Sequence, residues 1–363
     1  MQAEALTTFL TRLPGESEVD RKESGMIRLA TIKEFLEYGA WVNSRLLDAA
    51  ANLSDDKLDA DFPIGMGTLR RTLLHVLAGE SVWLKRWHAA SEPAWPDESE
   101  RASISEIRTR FTEVRRGQQA FLSARIDEDL GRCVAYRDSK GSRFETTLGD
   151  MLLQVCVHSQ HHRAQLSNLL RRCGAEPIKP GLDYIFMRID LGRTTPASCD
   201  PATLQTWFHY GDWANQVLLD AAQALTNADL DRTFEMGVGT LRKTLQHIRS
   251  AEHWWLTNWM HGPVEGFPAL PTDQPIGTLR LAFRETISAR DAFLQSRRAA
   301  DLATPVEGRP RPGVVRSIDL GGAMLQLCGH GVHHRAQAVN MLRNLTGRSI
   351  ELDYMMHVRT PAE

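Results

Sequence analysis

Residues 157–165 read VHSQHHRAQ, which sets three imidazoles, His158, His161 and His162, within five positions. Residues four apart on an α-helix share one face, about one turn apart. His158 and His162 can therefore reach a common ion, and so can His158 and His161 at a spacing of three. Two imidazoles make a weak site, because zinc takes three protein ligands in a catalytic centre and four in a structural one. The candidate third ligand is His75, flanked by Leu73, Leu74, Val76 and Leu77. A histidine in such surroundings is by default a core residue with one satisfied hydrogen bond, so His75 needs a second argument.

A duplication supplies it. TLRRTLLHVLAGESVWLKRW, beginning at Thr68, recurs as TLRKTLQHIRSAEHWWLTNW at Thr240, 172 residues later. The same offset relates Trp41 to Trp213, Asn43 to Asn215, Glu80 to Glu252 and Phe121 to Phe293. LQVCVHSQHHRAQ maps onto LQLCGHGVHHRAQ, so His330, His333 and His334 repeat the first cluster. His247 repeats His75 although LLHVLA has become LQHIRS. Eight of the 13 histidines occupy these four equivalent positions, which a bland core would not retain selectively.

The repeating unit, about 160 residues long, reads as four helices. In the first unit they span about 30–51, 68–90, 104–125 and 148–172, with Thr68 an N-cap and Gly174 a C-terminal stop. In the second they span about 203–224, 240–261, 277–298 and 319–344. CVAYRDSKGSRFETT, before the fourth helix, has the look of a hairpin or long loop. Its proline-rich counterpart VEGRPRPGVVRSID should differ in detail. The expected fold class is all-α: two tandem four-helix bundles over 26–190 and 200–363, packed as an intrachain pseudo-dimer. Residues 1–25 have no partner in the second unit and read as an N-terminal extension.

Composition narrows the partners. Formal net charge is −2, from 43 basic and 45 acidic residues, which argues against binding nucleic acid by phosphate neutralisation. No apolar run approaches the roughly 20 residues of a membrane span. The N-terminus carries Glu4 and no apolar core, so it does not read as a signal peptide. Five cysteines without a CxxC pair fit a reduced, cytoplasmic protein. There is no Ser/His/Asp pattern and no Gly-rich phosphate loop.

With EYGAWVNSRLLDA, TLRRTLLHVLAGE, HSQHHRAQLSNLLRRCG and the closing spacing of Pro177 to Asp183, the chain resembles the DinB/YfiT-like metalloenzyme family over nearly all of both repeats. The specific part is the fourth-helix signature, H-x3-H-R followed by Gly or Ala and then Gln. The resemblance implies a divalent metal in each bundle, held by one histidine of the second helix and a histidine pair of the fourth. The implied ligands are His75, His158 and His162 in repeat one, and His247, His330 and His334 in repeat two. It is the resemblance that selects His162 over His161. His161 and His333 become either neighbours that support the ligands or surface residues, while Arg163, Gln165, Arg335 and Gln337 are expected to brace adjacent helices.

Three neutral imidazoles leave the ion its full charge and an open position, which suits zinc or nickel, with iron also possible. Glu80 and Glu252 lie about 140° around the helix from the second-helix histidines, poor geometry for ligation; the readings for them are a hydrogen bond to a ligand from the next helix, or a solvated or capping role. Cys156 and Cys328 sit roughly 160° from the next histidine and are expected to pack in the core, as are Trp83/Trp87 and Trp255/Trp259. The resemblance implies a thiol-dependent S-transferase: a bacillithiol- or mycothiol-like low-molecular-weight thiol is activated for attack on a small electrophilic substrate. Two alternatives stand beside it: a hydrolase using metal-bound water, and a non-enzymatic metal-binding stress-response module.

Overall fold

The computed structural model describes residues 27–89, 93–138, 141–358 and 360–361; the expected extension, 1–25, lies outside them. In repeat one the elements are α1 (Leu29–Ala50), α2 (Asp55–Leu58), α3 (Leu69–Trp87), α4 (Ile104–Ser123), β1 (Cys133–Arg137), β2 (Arg143–Thr147), α5 (Leu148–Arg172) and α6 (Tyr184–Asp190). Repeat two follows with α7 (Pro201–Gln223), α8 (Asn227–Leu230), α9 (Leu241–His261), α10 (Ile276–Gln295), β3 (Pro305–Arg311), β4 (Val314–Asp319), α11 (Leu320–Thr346), α12 (Tyr354–Val358) and β5 (Thr360–Pro361). The chain is mostly helical, and the long helices α1, α3, α4 and α5, then α7, α9, α10 and α11, form the two bundles.

Local chemistry sets the ends of the histidine-bearing helices. The Thr68 and Thr240 side chains accept from the backbone N–H groups of Arg71 and Lys243, which starts α3 and α9 in the same register. Thr147 and Asp319 do the same for α5 and α11. Such caps satisfy N–H groups that the first turn leaves without partners. Gly174 (φ 74°) and Gly347 (φ 70°) adopt the left-handed conformation that ends both fourth helices. In repeat two the third helix ends at Gln295, short of the expected 298, where the chain turns toward a 3-10 segment at Ala299–Ala303.

The proline-rich segment of repeat two differs in detail, as expected: β3 and β4 form an antiparallel hairpin with an irregularity between Gly308 and Arg311. Gly308 is required there, since a Cβ would stand 2.7 Å from the Trp254 ring.

The two bundles pack on each other about a pseudo-two-fold relation centred on α5 against α11. Phe35 meets its repeat counterpart Trp207 with ring centroids 4.4 Å apart. Each closing helix crosses over: α6 docks on α11 of the other repeat, and α12 docks on α5. Gln326 accepts from the Ile185 N–H at 3.0 Å, and Gln154 from the Met355 N–H at 3.1 Å. Tyr38 donates to the Leu182 carbonyl at 2.7 Å and Tyr210 to that of Leu352 at 2.6 Å. The backbone of β5 then pairs with β2, so the end of repeat two extends the hairpin of repeat one. One continuous apolar core runs through both repeats.

Phe35 is fully buried in this shared core. Phe35→Ala is expected to cost about 3–5 kcal/mol of folding stability, read as a lower denaturant midpoint in urea unfolding.

Candidate metal centre

In repeat one, α3 presents His75 across the bundle to His158 and His162 on α5. Ring centroids lie 5.2 Å (His75–His158), 4.4 Å (His75–His162) and 4.6 Å (His158–His162) apart. Repeat two sets His247 of α9 against His330 and His334 of α11, at 5.1, 4.5 and 4.4 Å for the corresponding pairs. Within each trio the candidate ligand atoms all lie within 4.8 Å of one another. All six rings are half-buried. The two clusters can each hold a metal ion.

Hydrogen bonds fix which nitrogen points inward. The Gln165 side-chain oxygen can only accept, so His162 must carry its proton on Nδ1, 2.8 Å away. That leaves His162 Nε2 with its lone pair free for a ligand. The Gln165 amide nitrogen donates in turn to His161 Nε2 at 3.0 Å. Gln337 repeats the arrangement with His334 Nδ1 at 2.7 Å and His333 Nε2 at 3.0 Å. Gln165 and Gln337 therefore orient imidazoles and do not brace neighbouring helices. His161 and His333 stand outside the two trios, each tied through its glutamine to the adjacent histidine.

Burial, reinforced by neighbouring imidazoles, pushes His158 down to about 3 and His330 to about 4. Burial carries His162 and His334 well below the usual 6.5 as well. These rings are neutral at pH 7, the state a metal requires. Donor type, number and protonation thus all fit a divalent ion. Because the folded-state values are depressed, the unfolded chain binds more protons as the pH falls below about 6.5. The metal-free protein should lose thermal stability from there down toward pH 4, checked by melting temperature across that range.

Glu80 and Glu252 are neither solvated nor capping. Their helix position turns them into the bundle interior, where a buried carboxylate needs a cation. Arg163 supplies it for Glu80 at 2.9 Å while its Nε donates to Asn43 of α1 at 2.8 Å, so this arginine does brace two helices. Gly39 makes room, since a Cβ there would meet the guanidinium at 2.7 Å. In repeat two the cation for Glu252 is instead Arg290 of α10 at 2.7 Å, shared with Asp212. Arg335 is left with Asn215 at 3.4 Å and the face of Tyr210.

Cys156 and Cys328 are buried, and burial pushes the Cys156 thiol up to about 12 and Cys328 up also. Packing, as expected, is their role. Trp83 and Trp87 are core residues, and Trp255 and Trp259 pack half-buried against the core.

One functional neighbour escaped the sequence reading. Glu98, in the link between α3 and α4, approaches His75 Nδ1 at 2.6 Å and accepts from the Trp95 indole. Burial would raise this carboxyl, but His75, Trp95 and Arg71 outweigh it and hold the group below its usual value. Trp95 lies 5.5 Å from the His75 ring, and Phe267 lies 5.4 Å from His247. Extending the 172-residue offset through the prolines of this link aligns Trp95 with Phe267 and Glu98 with Leu270, the signal that could have exposed it.

The DinB family model matches this chain over residues 26–189 and again over 199–361. The chain belongs to the DinB family. The DinB relative "Protein DinB" of Bacillus subtilis (strain 168) is 21% identical over 160 residues, covering 42% of this chain and 91% of that protein. No solved structure matches the chain significantly. Among the described residues, no helix is long and apolar enough to cross a membrane.

Replacing Gln165 removes the acceptor that holds His162 in its inward tautomer. Gln165→Leu is expected to weaken metal binding in repeat one about 10–100-fold, with repeat two unaffected, measured by competition with a chromophoric chelator.

Proposed function

We propose that the protein is a metal-dependent S-transferase in which each repeat holds one divalent ion, zinc or nickel, on three imidazoles. The carrying observation is that three imidazoles converge in each bundle, their candidate ligand atoms within 4.8 Å of one another. No fourth Cys, Asp, Glu or His among the described residues joins either group. Such a set leaves a coordination position for a small molecule. An ion bound there would supply the Lewis acidity that keeps a thiol ionised near neutral pH.

The chain's own residues favour an outside thiol. Cys156 and Cys328 are sealed in the core with raised pKa values, so neither serves as nucleophile. Hydrolysis would call for a free general base beside the ligands. Glu80 and Glu252 are spent on arginines and Glu98 on His75 and Trp95. These engagements favour the thiol reaction over attack by water, and the open position favours an enzyme over a closed metal-storage module. In the proposed step the thiol sulfur bonds an electrophilic carbon, the leaving group departs with its electron pair, and the thiol proton passes to solvent. The substrates are small molecules, with no part for nucleic acid or membrane. The five free cysteines accord with a reducing, cytoplasmic setting.

The test pairs metal content with turnover. His75→Ala and His247→Ala should each lose about one equivalent of metal relative to the unsubstituted protein, measured by elemental analysis. Zinc- or nickel-loaded protein, given a panel of low-molecular-weight thiols and a haloaromatic acceptor, should form the thioether at a rate that chelation abolishes and metal restores. No metal-dependent rate with any thiol would overturn the transferase reading, and a metal-dependent ester or amide hydrolysis indifferent to thiol would replace it.

A further inference from the structure

The two centres are built alike from their own six histidines and differently from the link that covers them. In repeat one, Glu98 sits 2.6 Å from His75 Nδ1, with both side chains largely buried. In repeat two the link follows the same path: Phe267 takes the place of Trp95 against His247 at nearly the same distance. The buried arginines confirm the register, because Arg70 donates to the Ala102 carbonyl and Arg242 to that of Gln274, both at 2.6 Å. At the position of Glu98 stands Leu270, which offers no acceptor. We propose that Glu98 is a positioning residue that makes repeat one the tighter metal site and repeat two the weaker one, so that the two fill in sequence.

The physical reason lies in the far side of the imidazole. A carboxylate on Nδ1 fixes the ring's tautomer and orientation and raises the basicity of the other nitrogen, and losing such a partner typically lowers metal affinity 10–100-fold. His162 and His334 carry matching glutamine partners, so that contact does not separate the sites. The difference falls on the second-helix histidine. His75 has an anion behind it, whereas His247 has the Phe267 ring beside it and no carboxylate partner among the described residues. A more basic ligand set also donates more charge to its ion, which leaves the ion of repeat two the stronger Lewis acid of the pair.

This inference rests on the metal-centre reading, and the test separates the two. His247→Ala leaves repeat one alone, and His75→Ala leaves repeat two alone. The affinity of each for zinc is measured in the full chain by competition with a chromophoric chelator. Repeat one should bind about 10–100-fold more tightly. Adding Glu98→Gln to His247→Ala should close most of that gap. Adding Leu270→Glu to His75→Ala should narrow it from the other side, a gain that misfolding cannot produce. Equal affinities in the two single-site proteins, or a gap that survives both link substitutions, would overturn the inference and leave the metal sites standing. Failure of both proteins to bind zinc would overturn the metal reading and this inference together.

Discussion

An imidazole presents one chosen nitrogen to a shared cluster when its other nitrogen is held from behind, as it is for three of the six rings here. A histidine has two nitrogens, and an unconstrained ring presents either of them, in either tautomer. In this protein the second nitrogen is occupied by design of the bundle: Gln165 on His162, Gln337 on His334, Glu98 on His75. The glutamines lie three residues beyond the histidines they hold, on the same helix, so this restraint is built into α5 and α11 from the moment they form. The carboxylate comes from a separate link and depends on how that link settles over the bundle.

Around this centre the bundle interior carries charge that it must neutralise. Both repeats bury a glutamate five positions past the second-helix histidine, and both neutralise it with an arginine, but not the same one. Arg163 reaches Glu80 from the fourth helix, whereas Arg290 reaches Glu252 from the third. Arg290 stands where repeat one has Gln118, and its second partner Asp212 stands where repeat one has Ala40. A buried ion pair is costly to break, since the remaining charge is stranded. A change of partner therefore has to be made as a set, and the Arg290–Asp212 pair arises together on facing helices. Two descendants of one unit thus keep the same electrostatic requirement and meet it with different residues.

The fold was largely legible before the structure. The helices carry their apolar faces at helical spacing, the capping threonines mark their starts, and the 172-residue offset doubles every piece of evidence. The swapped closing helices were not, because α6 and α12 are short and owe their place to contacts on the opposite repeat. The proline-rich second hairpin was expected to differ from the first in detail, and its register is irregular between Gly308 and Arg311. The Gly308 irregularity under Trp254 absorbs its prolines. Within the site, the role of Gln165 could have been read from its spacing to His162. That of Glu80 could not, because helix position says a side chain turns inward but does not say which cation awaits it.

Sequence alone supplied the candidate donors and their duplication: helical spacing puts either His161 or His162 on a face with His158, and the resemblance to the family chose His162. It also established that a third histidine recurs at a matching place on another helix. The tertiary structure alone decided that His75 would meet Glu98, 23 residues away across a link with no periodic pattern, while His247 meets no carboxylate among the described residues. Periodicity governs contacts within a helix, where backbone geometry dictates the neighbours. Contacts between a link and a bundle depend on the path the packed core leaves open, and one side chain at position 98 or 270 then gives two otherwise matching sites different surroundings.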